Sequence, residues 1–262
     1  MSIHLKFILP FALLAFWSCQ EKNQSVPTVN WSNYQGDAGS NQSSPLQQIN
    51  KQNVKNLKVA WTYQSGDADS LNRSQIQCNP LIVDGILYGT NPKLKLFALD
   101  ASNGKELWTF DPFDGGYNMY GMGVNRGLTY WSDQEQKRIY FCAGTFIHAI
   151  DASTGHLVKT FGDGGRVDIH TGLGERAQKD FVVANSPGVI YKDFYIVGTR
   201  VSEAMDAAPG YIRAFNIHTG KLEWVFHTIP QPGEFGYETW PENAWKEMGG
   251  ANGWSGMSVD HD

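Results

Sequence analysis

The sequence predicts an all-β protein, a β-propeller built from four-stranded blades. One pattern occurs three times: a short apolar strand, a polar turn that contains glycine, and a second strand. The three copies span residues 98–110, 149–161 and 214–226, so they begin 51 and 65 residues apart. These intervals are too long and uneven for a solenoid, but they are typical of four-stranded blades joined by variable loops.

Two further hairpins precede the repeated pattern and complete the predicted blades. Residues 80–90 turn at Asp84-Gly85, and residues 188–199 turn at Lys192-Asp193. Each combines apolar strands with residues that tolerate positive φ. Adding these hairpins to the copies gives about four strands per unit. We expect almost no helix, apart from a short helical turn around residues 50–57.

Tryptophans at one repeated position are predicted to pack blade against blade. Trp108 and Trp224 occupy this position in the first and third copies, whereas Lys159 stands there in the second. A large aromatic ring suits such a packing role. We therefore expect a weaker joint at the second copy. Three complete units and the start of a fourth cannot close a ring, so we expect an incomplete propeller, either the amino-terminal piece of a longer protein or a truncated gene product.

Composition excludes several classes of protein. The 262 residues include 21 Lys and Arg against 26 Asp and Glu, a net charge of −5 with no basic stripe, which argues against a nucleic-acid partner. The 28 Gly and 11 Pro are too few for a low-complexity chain, in which these residues make up roughly a quarter or more.

The amino terminus is typical of an exported protein. Lys6 precedes an apolar run over residues 7–17, too short for a bilayer core that needs roughly 20 apolar residues. We predict a signal peptide over 1–18, a polar tether over 19–30 with a lipid anchor at Cys19, and propeller over 31–262. Phe16 and Trp17 depart from lipoprotein signals, so plain cleavage or an uncleaved segment stays open. The expected location is the periplasm.

Two cysteines lie in the expected propeller, Cys78 and Cys142. They could form one disulfide at most, and two buried free cysteines on separate strands are the favoured interpretation. No C-x-x-C-H motif is present, so the chain attaches no c-type haem.

From about residue 30 to its end, the chain resembles the quinoprotein alcohol and glucose dehydrogenases. The resemblance is carried by these segments: Trp31-Ser32-Asn33-Tyr34, Ala60-Trp61-Thr62-Tyr63, Asn125-Arg126-Gly127, Glu238-Thr239-Trp240-Pro241 and Gly249-Gly250-Ala251-Asn252-Gly253-Trp254. Residues 226–236 look more like the glucose-type than the methanol-type branch. The resemblance implies an eight-bladed propeller that holds pyrroloquinoline quinone and a divalent metal, calcium or magnesium, on its axis.

The resemblance also implies a role for individual residues. Trp254 would form the floor under the quinone ring, Glu203 would be a metal ligand, and Arg126 would contact the reactive carbonyl region as electrostatic support. Four further residues are expected to bind the cofactor. Gln77, Asn185 and Asn252 would surround its carboxylates and edge, and Arg200 lies in the same loop as Glu203. These four could equally serve backbone groups in turns, and Asp206 could replace Glu203.

The implied activity is the oxidation of a sugar or alcohol. A base would take the hydroxyl proton, and electrons would pass to a membrane quinone or a cytochrome. The base and a second metal ligand are expected beyond Asp262, so we expect the chain alone to be inactive. Tyr120 and Gly121 replace the adjacent cysteine pair of methanol-type members.

Two other interpretations are weaker. A non-catalytic propeller lipoprotein scaffold for outer-membrane assembly would share the repeated turn, but it would not need the segments around Arg126 and Trp254. Residues 172–177 formally fit a dinucleotide-binding fingerprint, yet no long apolar strand precedes them and no amphipathic helix follows.

Overall fold

The computed structural model describes residues 29–71, 73–117 and 124–261. The predicted signal peptide, Cys19, Tyr120 and Gly121 lie outside these residues. Three antiparallel four-stranded sheets form the described structure, each with its strands in chain order across the sheet. The all-β class and the four-stranded blades are thus confirmed.

The first blade comprises β1 (Leu81–Val83), β2 (Ile86–Thr90), β3 (Leu96–Asp100) and β4 (Glu106–Phe110). The second comprises β5 (Thr129–Ser132), β6 (Lys137–Ala143), β7 (Phe146–Asp151) and β8 (Arg166–Asp168). The third comprises β10 (Val189–Tyr191), β11 (Phe194–Val197), β13 (Ile212–Asn216) and β14 (Leu222–Phe226). Two short strands, β9 (Val182–Val183) and β12 (Arg200–Val201), pair with each other instead. In chain order β9 precedes β10, and β12 falls between β11 and β13.

Helix is confined to short turns in the described residues. Three are 3₁₀ turns, at Val54–Asn56, Glu175–Lys179 and Tyr237–Thr239, and one is a single α turn, α1 (Ala244–Glu247). The first confirms the turn expected within residues 50–57. None of the helices in these parts of the chain is long and apolar enough to cross a membrane.

The two predicted hairpin turns are confirmed. Asp84 and Gly85 have φ angles of 51° and 78° and connect β1 to β2. Positive φ at both central residues is typical of the type I′ turn, whose twist matches that of the two strands it connects. Lys192, with φ of 52°, begins the equivalent turn between β10 and β11.

The second blade departs from the expected hairpin. The segment after its polar turn makes only an isolated bridge between Ile150 and Leu157, and β8 takes the fourth position against β7 instead. The reason lies in the intervening residues. Phe161 is fully buried, and Gly162 donates its backbone N–H to the carbonyl of Thr219 in the third blade (2.9 Å), so this stretch is held by the neighbouring blade.

Alternation along the strands divides the core into two layers. On β6, Ile139 and Phe141 pack into a cluster shared with the first blade, whereas Tyr140 and Cys142 pack into a cluster shared with the third. Successive strand residues point to opposite faces, so one strand can serve two interfaces. Each pair of neighbouring blades therefore buries its own apolar layer.

Tryptophan joints follow the expected pattern at the first blade. The Trp108 indole N–H donates to the carbonyl of Ala152 in the second blade (3.2 Å), and its ring lies against Gly155. Trp61 makes the same contacts one blade earlier: its N–H donates to Ala101 (3.1 Å) and its ring covers Gly104.

At the second copy, where Lys159 stands in place of tryptophan, other side chains connect the second blade to the third. Tyr140 and Arg138 both donate to the carbonyl of Ile217, at 2.6 and 2.8 Å. This carbonyl follows the third copy's strand just as Ala152 follows the second's. Trp224 is 38% exposed, so its packing role stays a prediction.

Cys78 and Cys142 are both free, as favoured from the sequence. Cys142 is buried on β6, but Cys78 is only partly buried, precedes β1 and lies on no strand, so the expectation of two buried cysteines on separate strands holds for Cys142 alone. Burial raises the pKa of the Cys142 thiol to about 12 and also raises that of Cys78.

Candidate functional site

The segments that lead into the first strands of the three blades meet side by side. The backbone N–H of Asn79 donates to the carbonyl of Arg126 (2.8 Å), and the N–H of Arg126 donates to the carbonyl of Asn185 (2.6 Å). The segment over 249–254 joins them through the Trp254 carbonyl, which accepts from Ser186 Oγ (2.6 Å) and from Arg126 Nη1 (3.2 Å). Its Asn252 side chain donates to the carbonyl of Thr199, just after β11 (2.8 Å). Side chains from widely separated positions are thereby brought to one place.

A cleft of about 550 Å³ lies at this meeting point. All seven residues singled out from the sequence line it: Gln77, Arg126, Asn185, Arg200, Glu203, Asn252 and Trp254. Gly249 and Gly250 of the quoted motif line it as well, together with residues to which the sequence analysis gave no role: Gln75, Val124, Val201, Ser202, Ala204 and Met205. The exposed Asp206 is not part of this lining, which favours Glu203 over Asp206 as the acidic group of the cleft.

Trp254 and Arg126 form the best-defined pair in the cleft. The Arg126 guanidinium lies 4.7 Å from the centre of the indole ring, and 49% of Trp254 is exposed. Arg126 Nη1 donates to the Trp254 carbonyl (3.2 Å) and to Ser186 Oγ (3.3 Å), and Ser186 donates to the same carbonyl at 2.6 Å. A guanidinium has five N–H donors, so most of those on Arg126 stay available for a ligand.

Charge in the cleft is predominantly positive. Arg126 and Arg200 are its two cations, and Glu203 is the single acidic residue among the lining residues that the structure describes. Arg200, on β12, lies 5.4 Å from the centre of the Phe181 ring. Glu203 is exposed in the turn that follows β12 and makes no hydrogen bond or ion pair with the described residues. This arrangement suits a ligand with several negative charges.

The amide side chains differ in how far they are already used. Asn252 holds the Thr199 carbonyl, and Gln77 donates to Gln75 Oε1 (2.9 Å), so both partly serve the protein itself. Asn185 is only 4% exposed and makes no side-chain hydrogen bond within the described residues. A buried amide of this kind is available to a ligand in the cleft.

These residues fit a flat, multiply charged cofactor with a hard cation. The half-exposed indole offers an apolar face for a planar ring, and the two arginines match carboxylate and carbonyl oxygens. The Glu203 carboxylate and the Asn185 amide are oxygen donors of the type that calcium prefers. No group of three or more His, Cys, Asp or Glu comes together in the described residues, so a cation here would rely on amide and cofactor oxygens as well.

Comparison with known families decides the assignment. The family model described as "PQQ: Glucose/ethanol/alcohol dehydrogenase, beta-propeller domain" matches residues 31–262. The chain belongs to this quinoprotein family. The name PQQ stands for pyrroloquinoline quinone, the cofactor that the sequence resemblance implied.

Relatives of the quinoprotein chain are named for alcohols and related hydroxyl compounds. The dehydrogenase subunit of alcohol dehydrogenase (quinone) from Gluconobacter oxydans (strain 621H) is 36% identical over 253 residues, 88% of this chain and 31% of that protein. Quinate/shikimate dehydrogenase (quinone) from Acinetobacter baylyi (strain ATCC 33305 / BD413 / ADP1) is 31% identical over 266 residues, again 88% of this chain and 31% of that protein. The chain thus spans about a third of their length.

Solved quinoprotein structures share the fold. Quinohemoprotein alcohol dehydrogenase ADHIIG from Pseudomonas putida HK5 superposes with a TM-score of 0.70 at 26% identity, over 88% of this chain and 33% of that one. A europium-containing methanol dehydrogenase superposes with a TM-score of 0.66 at 22% identity, over 88% of this chain and 40% of that one, and supports the fold alone. The glucose-type assignment stays a prediction, and the names of these relatives do not favour it.

Proposed function

We propose that the quinoprotein chain binds pyrroloquinoline quinone and a divalent cation, calcium or magnesium, in the 550 Å³ cleft, as part of an enzyme that oxidises alcohols or polyols. The observation that carries the proposal is the convergence of Arg126, Glu203 and Trp254 on one cleft from three distant parts of the chain. Blade packing alone does not require an arginine above a half-exposed indole. The names of the relatives favour alcohols, glycerol and quinate over glucose.

Each residue of the cleft would contribute a distinct interaction. Trp254 would hold the cofactor ring by apolar stacking, and Arg126 would place a positive charge beside it, where developing negative charge is stabilised. Arg200 would bind a cofactor carboxylate, because a guanidinium matches its geometry. Glu203 and the Asn185 amide would bind the cation. When bound, the cofactor supplies a carbonyl group that accepts two electrons from the substrate carbon.

For residues 1–262 alone we expect cofactor binding without turnover. Oxidation of a hydroxyl needs a base to remove its proton. Glu203 is the single carboxylate that lines the cleft in the described residues, and the proposal assigns it to the cation.

Electrons would pass to a membrane quinone or a cytochrome. Palmitate labelling that Cys19→Ala abolishes would support the predicted lipid anchor.

Cofactor titration tests the proposal directly. Tryptophan fluorescence is recorded as pyrroloquinoline quinone is added with calcium in excess, for the wild type and for Trp254→Leu. Loss of one stacking surface is expected to weaken binding about tenfold. Trp224→Leu is the matched control, because Trp224 is also partly exposed but lies on β14, outside the cleft.

A second variant distinguishes cation binding from stacking of the quinone ring. Glu203→Gln is expected to raise the calcium concentration needed for half-saturation while leaving the stacking surface intact. Absence of saturable quenching in the wild type, or equal affinities for Trp254→Leu and Trp224→Leu, would overturn the proposal and leave a propeller scaffold as the better interpretation.

A further inference from the structure

Arg176 lies outside the cleft, in the segment whose glycines formally match a dinucleotide fingerprint. The structure gives that segment a different form. Gly172 and Gly174 have φ angles of 85° and 84°, and the chain then enters the 3₁₀ turn Glu175–Lys179 rather than a long helix. No phosphate-binding helix terminus is formed, so the segment needs another explanation.

The Arg176 side chain connects two loops that are far apart in sequence. Its Nη1 donates to the carbonyls of Asp206 and Ala207, both at 3.1 Å. Its Nη2 donates to the carbonyl of Met248 at 2.8 Å. One guanidinium thus satisfies three backbone acceptors, two on the first loop and one on the second.

Both loops form the wall of the cofactor cleft. The first carries Glu203 and Met205, and the second continues into Gly249 and Gly250, all of which line the cleft. Backbone bonds join the loops directly: Gly249 N–H donates to the Met205 carbonyl (2.9 Å), and Gly250 N–H donates to the Ala208 carbonyl (3.0 Å). Arg176 binds this junction but is not itself one of the residues that line the cleft.

We propose that Arg176 is a positioning residue that holds the Glu203 loop against the segment leading to Trp254, and so fixes the distance between the cation site and the stacking surface. This role rests on the proposed function of the cleft. Arginine is required because its planar fork reaches carbonyls on two loops at once, whereas lysine offers a compact charge on a flexible stem. Loss of the fork would leave three carbonyls without their donor and let the loops separate.

Hydrogen exchange on the full chain without quinone or cation tests the contact itself. In Arg176→Gln the amides of Gly249 and Gly250 are expected to exchange about tenfold faster, while amides of the first blade keep their wild-type rates. Lys179→Gln, on the same 3₁₀ turn, is the matched control, because both side chains are exposed but that of Lys179 makes no hydrogen bond with the described residues. Unchanged exchange at both glycines would overturn the proposal.

Cofactor titration then tests the positioning role. Arg176→Ala and Arg176→Lys are expected to bind quinone about tenfold more weakly at limiting calcium, with the thermal unfolding midpoint close to that of the wild type. Millimolar guanidinium should restore the affinity of Arg176→Ala, whereas sodium at equal ionic strength should not. Wild-type affinity in Arg176→Lys, or no rescue by guanidinium, would contradict the role. If the wild type does not bind quinone, the proposed function fails, but the exchange data still decide whether Arg176 joins the loops.

Discussion

Gly155 is expected to be the most sensitive glycine at the joint between the first two blades. Its φ is 75°, and a Cβ atom there would lie 2.7 Å from both Cδ2 and Cε3 of Trp108. Real Cβ atoms do not approach a ring carbon so closely. Gly155→Ala therefore forces either the turn or the indole to move.

The cost has two parts that can be separated. Left-handed backbone costs a residue with a Cβ roughly 1 to 2 kcal/mol, and overpacking a buried contact costs about 1 to 3 kcal/mol more. Gly85→Ala supplies the control, because Gly85 has a similar φ of 78° but no atom within 4 Å of its added Cβ. We expect Gly155→Ala to lower the free energy of unfolding by about 2 to 5 kcal/mol, and Gly85→Ala by the backbone part alone.

Urea unfolding followed by circular dichroism measures both losses. A double-mutant cycle with Trp108→Leu assigns the difference, since Gly155→Ala should cost no more than Gly85→Ala once the ring is gone. Equal losses for the two single variants in the wild-type background would refute the packing argument. A full additional loss in the Trp108→Leu background would refute it as well.

Three further outcomes are expected. Burial lowers the pKa of His148 to about 4. The free energy of unfolding should therefore fall as the pH drops from 6.5 to 4, by up to roughly 1.4 kcal/mol per pH unit, because the unfolded chain binds the proton first. His148→Phe should flatten this pH dependence in urea unfolding. Ser186→Ala removes the donor to the Trp254 carbonyl, so quinone affinity should fall about fivefold by fluorescence titration, and no change would contradict the contact. Cys142 should resist iodoacetamide at pH 8 until urea is added, because the thiol is buried and burial raises its pKa to about 12; rapid labelling of Cys142 in the native protein, read by mass spectrometry, would be inconsistent with the structure.

Much of the fold follows from local patterns. The turn at Asp84-Gly85 follows from residues that accept positive φ, whereas Lys192 has a φ of 52° without such a preference, and its turn follows from the apolar strands on either side. Alternation along the strands follows from the opposite directions of successive side chains. The fourth strand of the second blade is different. The pattern after Asp151 is strand-like, but Gly162 bonds to Thr219 of the next blade, a long-range contact that no local pattern reveals.

In the candidate site too, some residues could be predicted from the sequence and others depend on long-range contacts. Resemblance to the quinoprotein family names residues that recur in its motifs, and the seven named residues do line one cleft. Ser186 and Arg176 were missed because each acts on backbone carbonyls of distant segments, Trp254 for the first and residues 206, 207 and 248 for the second. A carbonyl is present at every position, so such a bond leaves no signature in the sequence of its acceptor. Only the folded structure shows which polar side chain donates to a given carbonyl.

The position of the cleft follows from how the blades are joined. At the entry to each first strand the backbone groups are used between blades, as Arg126 shows by accepting from Asn79 and donating to Asn185. The Asn79 side chain adds to the joint, because its Nδ2 also donates to the Arg126 carbonyl (3.2 Å), whereas the side chains of Arg126 and Asn185 line the cleft. Backbone hydrogen bonds therefore connect the blades at this point, and the Arg126 and Asn185 side chains are left to line the cleft. This separation explains how a cation such as Arg126 can lie at the junction of two blades, where an apolar residue would serve packing better, without weakening the joint.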